Sequence, residues 1–398
     1  MKILLLSDYA TLTGGAEIAV AGLRDGLRQR GHDARWLASS ARPLGAASHA
    51  DYECLGSLSQ SRILLQTANP WAYWKLRQVL WEFQPDVVDV NLFLTQLSPL
   101  ILPLLRNIPA LYRAHWYRAV CPTGTKMLPC GNSCQSQAGS NCYHNGCLSR
   151  LDWVLLMVQL KLFRRWQSVF QTIIPISQMI REELYRGGIK AQEPVRLGVL
   201  KTSSPPVWSP IPTIGFAGRL VPEKGADVLI LAFARVQQTL PQARLILIGD
   251  GPERRHLEEL TATLGLSAAV EFHGHQLQPA TSQRLAQTWI QVVPSRWPEP
   301  LGLVAMEAMM EGRAVVASRC GGLLEIVVGG ETGLLVPPDN PEALADALLQ
   351  LLTQPSLAQH FGSQGRKKAL QEFTEQGYIE RSLRLYEQLT GLSPRLHH

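Results

Sequence analysis

Two rhythms of hydrophobic and polar positions run along this chain. Short apolar runs rich in β-branched residues alternate with longer stretches whose apolar positions fall three and four apart. The short runs predict strands, and the longer stretches predict helices with one buried face. In the first half the predicted strands are KILLLS, DVVDVN, ALYRAHW and TIIPIS; in the second they are TIGFAG, RLILIG, VEFHG, IQVVPS and AVVAS. Strands that alternate with helices in this way build parallel sheets from βαβ units. Between the halves, residues 201–212 (KTSSPPVWSPIP) carry four prolines and three serines, a linker composition. The chain has 398 residues, too many for one compact core. The expectation is α/β, with two doubly wound domains facing a cleft.

In such sheets ligands bind beyond the carboxyl ends of the strands, so the residues after each strand carry the chemistry. After the first strand, Gly14 and Gly15 open a helix with Ile18, Leu23 and Leu27 as its expected core face. Glycines there let a phosphate approach the free N–H groups at the helix start. No G-x-G-x-x-G follows, so a dinucleotide fingerprint is not supported. FAGRLVPEKG places Arg219 and Lys224 in one loop, a bidentate grip and a point charge suited to a diphosphate. GDGPERR offers Gly249, Asp250 and Gly251, either as a tight structural turn or as a close approach to a ligand.

The stretch PSRWPEPLGLVAMEAMMEG sets Glu299 and Glu307 eight positions apart. Prolines forbid a regular helix before Gly302, and from Leu303 the pattern is helical, with Val304, Ala305, Ala308 and Met309 able to line a buried face. Even in one helix the two carboxylates would stand roughly 12 Å apart along the axis. A retaining glycosidase needs about 5 Å, so the two are a poor hydrolytic pair. Glu307, embedded among alanines, methionines and a valine, calls for a hydroxyl or cation partner. CGGLLEIV then adds Gly321 and Gly322 before Glu325.

Composition and charge narrow the picture. Hydrophobic residues are 46% and charged residues 18%, and the formal net charge is +6. No Lys/Arg block with interleaved aromatics suggests nucleic acid, so a basic surface, an anionic substrate or an anionic membrane face remain. The N-terminal apolar run is too short for a signal peptide, and a cytoplasmic location is expected.

Taken in order, GGAE at 14–17, GR…EKG at 218–225, GDGP at 249–252, E-x7-E at 299–307, GG…E at 321–325 and ETGLLVPPDNPEALADAL resemble the retaining glycosyltransferases of family 4. The resemblance implies a GT-B fold with an acceptor-side domain over 1–205, a nucleotide-sugar domain over 206–375 and a terminal helix over 376–398 packing back on the first. It implies that Gly15, Arg219 and Lys224, with Gly14 beside them, hold the diphosphate of a nucleotide-sugar donor. Glu307 would take the ribose hydroxyls and Glu299 those of the transferred sugar. Backbone amides near Gly302 and Leu303 would meet the phosphate, and His115 would stand near sugar and acceptor. Catalytic roles would fall to His115, Arg219, Lys224 and Glu299, with retention at the anomeric carbon and no obligatory metal or cofactor. The expected partners are that donor and a glycan or lipid-linked acceptor of cell-surface polysaccharide or glycolipid assembly. This chain departs from the pattern at Trp116, where similar sequences carry Asp, and at Asp89 and Asn91 in DVVDVN, where histidines are common. A nucleotide-sugar epimerase and a non-catalytic sugar-nucleotide or glycan-binding protein are the alternatives.

Two features stand outside the motifs. Cys121, Cys130, Cys134, Cys142 and Cys147 crowd one segment, which fits a structural zinc or reduced or bridged thiols; paired C-x2-C knuckles are lacking. Residues 151–170 (LDWVLLMVQLKLFRRWQSVF) predict a buried helix with a basic end; the alternative is an interfacial helix docking on lipid.

Overall fold

The computed structural model describes every residue except 13, 44, 60–61, 201–207, 277–279 and 393–398. The first part of the linker expected at 201–212, and the boundary expected at 205/206, therefore lie outside the described residues. The chain forms two units, one of residues 1–198 with 375–398, the other of residues 199–374.

The first unit is built on a six-stranded sheet ordered β3-β2-β1-β4-β5-β6, every pair parallel. Its strands are β1 (Lys2–Ser7), β2 (Asp33–Ser39), β3 (Tyr52–Cys54), β4 (Val87–Val90), β5 (Ala110–Ala114) and β6 (Thr172–Pro175). The second unit repeats the plan in the order β12-β11-β10-β7-β8-β9. Its strands are β7 (Thr213–Ala217), β8 (Arg244–Ile248), β9 (Val270–Phe272), β10 (Ile290–Val293), β11 (Ala314–Ser318) and β12 (Gly333–Val336). Parallel sheets are covered on both faces, so their strands read as unbroken apolar runs. Residues 3–6 of β1 and all of β11 are buried accordingly.

Three strands escaped the apolar pattern for local reasons. In β2, Asp33 and Arg35 interrupt the run at the strand's exposed start. β3 has only three residues, and β12 begins with Gly333, which sits where a Cβ would meet the Val315 carbonyl. Helix faces also need correction. The Gly15–Gln29 helix buries Ala19, Val20, Leu23 and Leu27, while Ile18 is exposed. In the Leu303–Met310 helix, Met306 and Met310 are buried with Ala305, Ala308 and Met309, whereas Val304 is only half-buried. The helix expected to be buried at 151–170 runs Arg150–Trp166 and buries one face, Leu156, Gln159, Leu160 and Phe163; Leu151, Val154 and Val158 are exposed. Among the described residues no helix is long and apolar enough to cross a membrane.

Candidate functional site

In the second unit, two strand-end loops meet around one buried carboxylate. β7 leads into a 3-10 turn, Pro222–Lys224, that ends at Gly225 in a left-handed conformation (φ 66°). A Cβ there would sit 2.1 Å from the Pro294 carbonyl oxygen at the end of β10, so glycine lets the two loops touch. Lys224 Nζ then reaches Glu299 Oε1 at 2.6 Å, and Ser295 Oγ donates to the same oxygen at 2.6 Å. Glu299 is 5% exposed. Burial alone would raise its carboxyl, but the Lys224 charge and the hydrogen bonds from Lys224 and Ser295 hold it below the ordinary value. Trp297 roofs the pair, with Lys224 Nζ 5.1 Å from its ring centre.

Arg296, which no sequence motif singled out, ties these loops together. Its backbone N–H donates to the Glu223 carbonyl, and its guanidinium reaches the Pro222 carbonyl, Asp227 and Asp339. Charge and spacing alone could not separate it from Arg219, which sequence reasoning favoured. Arg219 stands beyond β7 with its side chain 67% exposed and Glu223 at 3.7 Å; it does not join the Lys224–Glu299 pair.

Gly321 and Gly322 serve the same loop from β11. A Cβ on Gly321 (φ 57°) would lie 2.4 Å from the Glu299 backbone, and one on Gly322 would meet Leu301. The Gly322 N–H donates to the Glu299 carbonyl at 2.6 Å. Gly249 and Gly251 pack against the carbonyls of Gly218 and Leu220, where a Cβ would not fit. Gly302 (φ 101°) caps the Leu303–Met310 helix, whose first N–H groups have no acceptor within the helix. Glu307 lies in the second turn. Burial pushes its carboxyl up to about 7, against the opposing Arg313 charge. Glu299 and Glu307 thus have separate cationic neighbours, Lys224 and Arg313.

In the first unit, Gly14 is the N-cap and Gly15 the first residue of the helix after β1. His115 follows β5 and is 4% exposed. Asn91, just after β4, donates its amide to the Asp89 carbonyl and carboxylate at 3.1 and 3.2 Å. Its oxygen therefore faces His115 Nε2 at 3.0 Å, so Nε2 carries the hydrogen and Nδ1 keeps its lone pair. That buried Nδ1 has no hydrogen-bond partner among the described residues, which leaves an acceptor for a ligand hydroxyl. Burial, then the Arg113 charge, pushes the imidazole down to about 3, so it is neutral. Trp116, in place of an acidic residue, packs its ring where a Cβ on Gly124 would come within 3.2 Å. Asp8, directly after β1, is fully buried, and no sequence motif singled it out. Its carboxylate accepts from the Thr95 N–H and hydroxyl and from the N–H groups of Gln96 and Leu97, fixing the loop after β4; burial still raises it to about 6.

Cys121, Cys134, Cys142 and Cys147 line one cavity of about 20 Å³, and Cys130 is exposed outside it. All five are free thiols. Among the described residues no group of three or more His, Cys, Asp or Glu side chains is arranged to hold a metal ion.

Comparison with known proteins places both units. The profile of Glycosyltransferase Family 4 matches residues 13–197, and that of Glycosyl transferases group 1 matches residues 209–368. The chain is 30% identical over 250 residues to alpha-maltose-1-phosphate synthase of Mycolicibacterium smegmatis, a match covering 55% of this chain and 63% of that protein. It spans less than two thirds of the length of the curated relatives it matches. Among solved structures, sucrose-phosphate synthase from Thermosynechococcus elongatus superposes with a TM-score of 0.77 at 23% identity, over 99% of this chain and 100% of that one. Anabaena HepE in complex with UDP-glucose gives 0.69 at 22% identity, over 98% and 100%. These likenesses establish the GT-B fold.

Proposed function

Because the chain belongs to glycosyltransferase family 4, we propose that it transfers a sugar, with retention, from a nucleoside diphosphate sugar to a glycan or lipid-linked acceptor in surface polysaccharide or glycolipid assembly. The observation that carries this reading is the buried Glu299 held by Lys224 and Ser295 between the ends of β7 and β10. A cation and a carboxylate fixed at 2.6 Å serve different parts of one donor. Lys224, with Arg219 able to swing from solvent, neutralises the departing diphosphate, as fixed charges do where negative charge develops. Glu299 accepts from sugar hydroxyls. The N–H groups at Gly302 and Leu303 meet a phosphate oxygen, and Glu307 accepts from the ribose. His115, neutral and with Nδ1 open, accepts a hydrogen bond from a hydroxyl on the acceptor side, where Gly14 and Gly15 offer a helix start to an anion.

No side chain is assigned as a covalent nucleophile, and no metal is assigned to the reaction. We propose the cysteine segment as a structural rim of the acceptor side, with elemental analysis for zinc testing whether a metal joins its thiols. The bound ligand of HepE, UDP-glucose, makes uridine donors the first to try. A thermal-shift screen of nucleoside diphosphate sugars is expected to single out one donor, at saturation worth a few kcal/mol of stability, about 2.7 at a hundredfold excess over Kd. Turnover of that donor is expected to fall at least about a hundredfold in Glu299→Ala and Lys224→Ala. Wild-type turnover in both variants would overturn the site.

A further inference from the structure

Exposed tryptophan is uncommon, yet the Pro70–Phe83 helix exposes three: Trp71 at 55%, Trp74 at 60% and Trp81 at 79%. At 100° per residue they fall within an arc of about 80°. Lys75 and Arg77 lie to either side, with Arg77 5.3 Å from the Trp74 ring; Glu82, bonded to Gln78, is the acid on this face. The Arg150–Trp166 helix packs on the same short helix, Pro99–Leu105, as the tryptophan helix does. Its exposed Leu151, Val154 and Val158 form a stripe that continues, on the same helical arc, into Lys161 and Arg165. The apolar half of this layer therefore passes directly into a cationic half.

At the cationic end lies a pocket of about 440 Å³ between the end of that helix and the loop before β5. Arg106, Arg165, Trp166 and Ser168 are among its lining residues. Neither arginine has an acidic partner among the described residues. Two unpaired guanidiniums beside an indole make a receptor for a phosphate group. At the end of the helix that carries the leucine–valine stripe, and on a short helix shared with the tryptophan helix, the phosphate has a membrane address. Indoles settle at the headgroup level, aliphatic side chains reach the acyl boundary, and cations meet anionic lipid.

We infer that this face of the first unit docks on an anionic phospholipid bilayer, with a headgroup phosphate in the Arg106–Arg165 pocket. The inference deepens the lipid-linked reading of the acceptor above and rests on it for its purpose. Charge selects the occupant: Lys75, Arg77, Arg150, Lys161, Arg164 and Arg165 outnumber Glu82 and Asp152 across the two helices. The formal net charge of +6 has the same sign.

The test is flotation of the full chain with vesicles of phosphatidylcholine alone or mixed with phosphatidylglycerol. Binding to the mixed vesicles is expected at low salt and is expected to weaken as salt rises. Arg106→Gln/Arg165→Gln is expected to weaken it about thirtyfold, from the contribution of each cation at an anionic surface. Trp74→Ser/Trp81→Ser is expected to weaken it at least about tenfold. Melting temperatures confirm that both variants fold, and an unchanged thermal shift with UDP-glucose separates loss of docking from loss of the donor site. Absence of flotation at low salt would overturn the inference, as would wild-type binding in both variants or equal binding to uncharged vesicles. A thermal shift with inorganic phosphate that vanishes in the arginine variant, without vesicle binding, would make the pocket a free-anion site and overturn the bilayer.

Discussion

At the scale of single residues, environment separates groups that look alike in sequence. Glu299 and Glu307 are both glutamates after one strand, yet Lys224 and Ser295 hold the first ionised, whereas burial pushes the second up to about 7. Because Glu307 is raised from 4.5, the native state keeps a proton that the unfolded chain loses between 4.5 and about 7. Its contribution to stability is full below that window and is lost as pH rises through 7. In the proposed role Glu307 accepts ribose hydroxyls in its ionised form, so affinity for UDP-glucose is expected to increase as pH rises through about 7. Titration calorimetry across pH checks this, and Glu307→Gln is expected to flatten the profile. A slope that survives in Glu307→Gln would place the titrating group elsewhere. His115 runs the other way. Pushed down to about 3, it has no ionisation in the physiological range. Nitrogen-15 histidine spectra are expected to show one neutral form, with hydrogen on Nε2, from about pH 5 to 8. Asn91→Leu is expected to release the second tautomer; hydrogen on Nδ1 in the parent protein would contradict the Asn91 assignment.

At the scale of elements, the second unit's candidate residues were legible because they sit in contiguous loops after strands, and the fold joins Lys224 to Glu299 among them. Lys224, Glu299, Gly302 and Glu307 are within a few residues of strands whose apolar runs stand out. What was illegible is how loops from different strands grip one another. Arg296 looked like any loop cation, and its reach to Asp227 and Asp339 depends on chain segments tens of residues away. The Gly321–Gly322 pair was visible, but its reason was not. Its missing Cβ atoms are what let the loop after β11 lie against the backbone of residues 299–301. Gly322→Ala is expected to cost about 1–3 kcal/mol by overpacking. Because the displaced backbone carries Glu299, donor affinity is expected to fall by more than the loss of folding alone implies. Denaturant unfolding and donor titration on one sample check both, and unchanged donor affinity in a destabilised protein would detach this glycine from the site. The cysteine segment shows the opposite limit. Its composition was plain, whereas the convergence of four of its five thiols on one cavity required the fold.

At the scale of the whole molecule, the first unit is completed by a helix that follows the second unit in sequence. Glu375–Thr390 buries Tyr378, Ile379, Ser382 and Tyr386 in the unit that begins at residue 1. Gly22 and Gly26 on the first helix make room, since a Cβ on either would strike Glu375 or Ile379. The terminal helix also closes a buried ion pair. Arg113 and Asp89 are both 0% exposed at 2.8 Å, and Tyr386 Oη donates to the same Asp89 oxygen at 2.6 Å, while Arg113 donates to Ser382 Oγ at 3.3 Å. Each hydrogen bond to such a buried pair offsets part of its desolvation cost, and here they go to Asp89 Oδ2 and Arg113 Nη2, while Arg113 Nε and Nη1 have no partner among the described residues; residues 297 positions apart in sequence thus share one electrostatic requirement. No local pattern could reveal this, because an arginine inside the β5 run looks misplaced until its partners from β4 and the chain's end are in view. Tyr386→Phe keeps the ring and removes one hydrogen bond to a carboxylate, which is expected to destabilise the first unit by about 1.5–3 kcal/mol. Ending the chain at Thr374 removes the hydroxyl, Ser382 and the apolar cover together, and is expected to leave residues 1–198 without stable tertiary structure. Hydrogen exchange resolves the two cases: amides of β4 and β5 are expected to lose part of their protection in Tyr386→Phe and nearly all of it in the truncated chain. Protection of β4 and β5 that persists after truncation would mean that the Asp89–Arg113 pair holds without the helix.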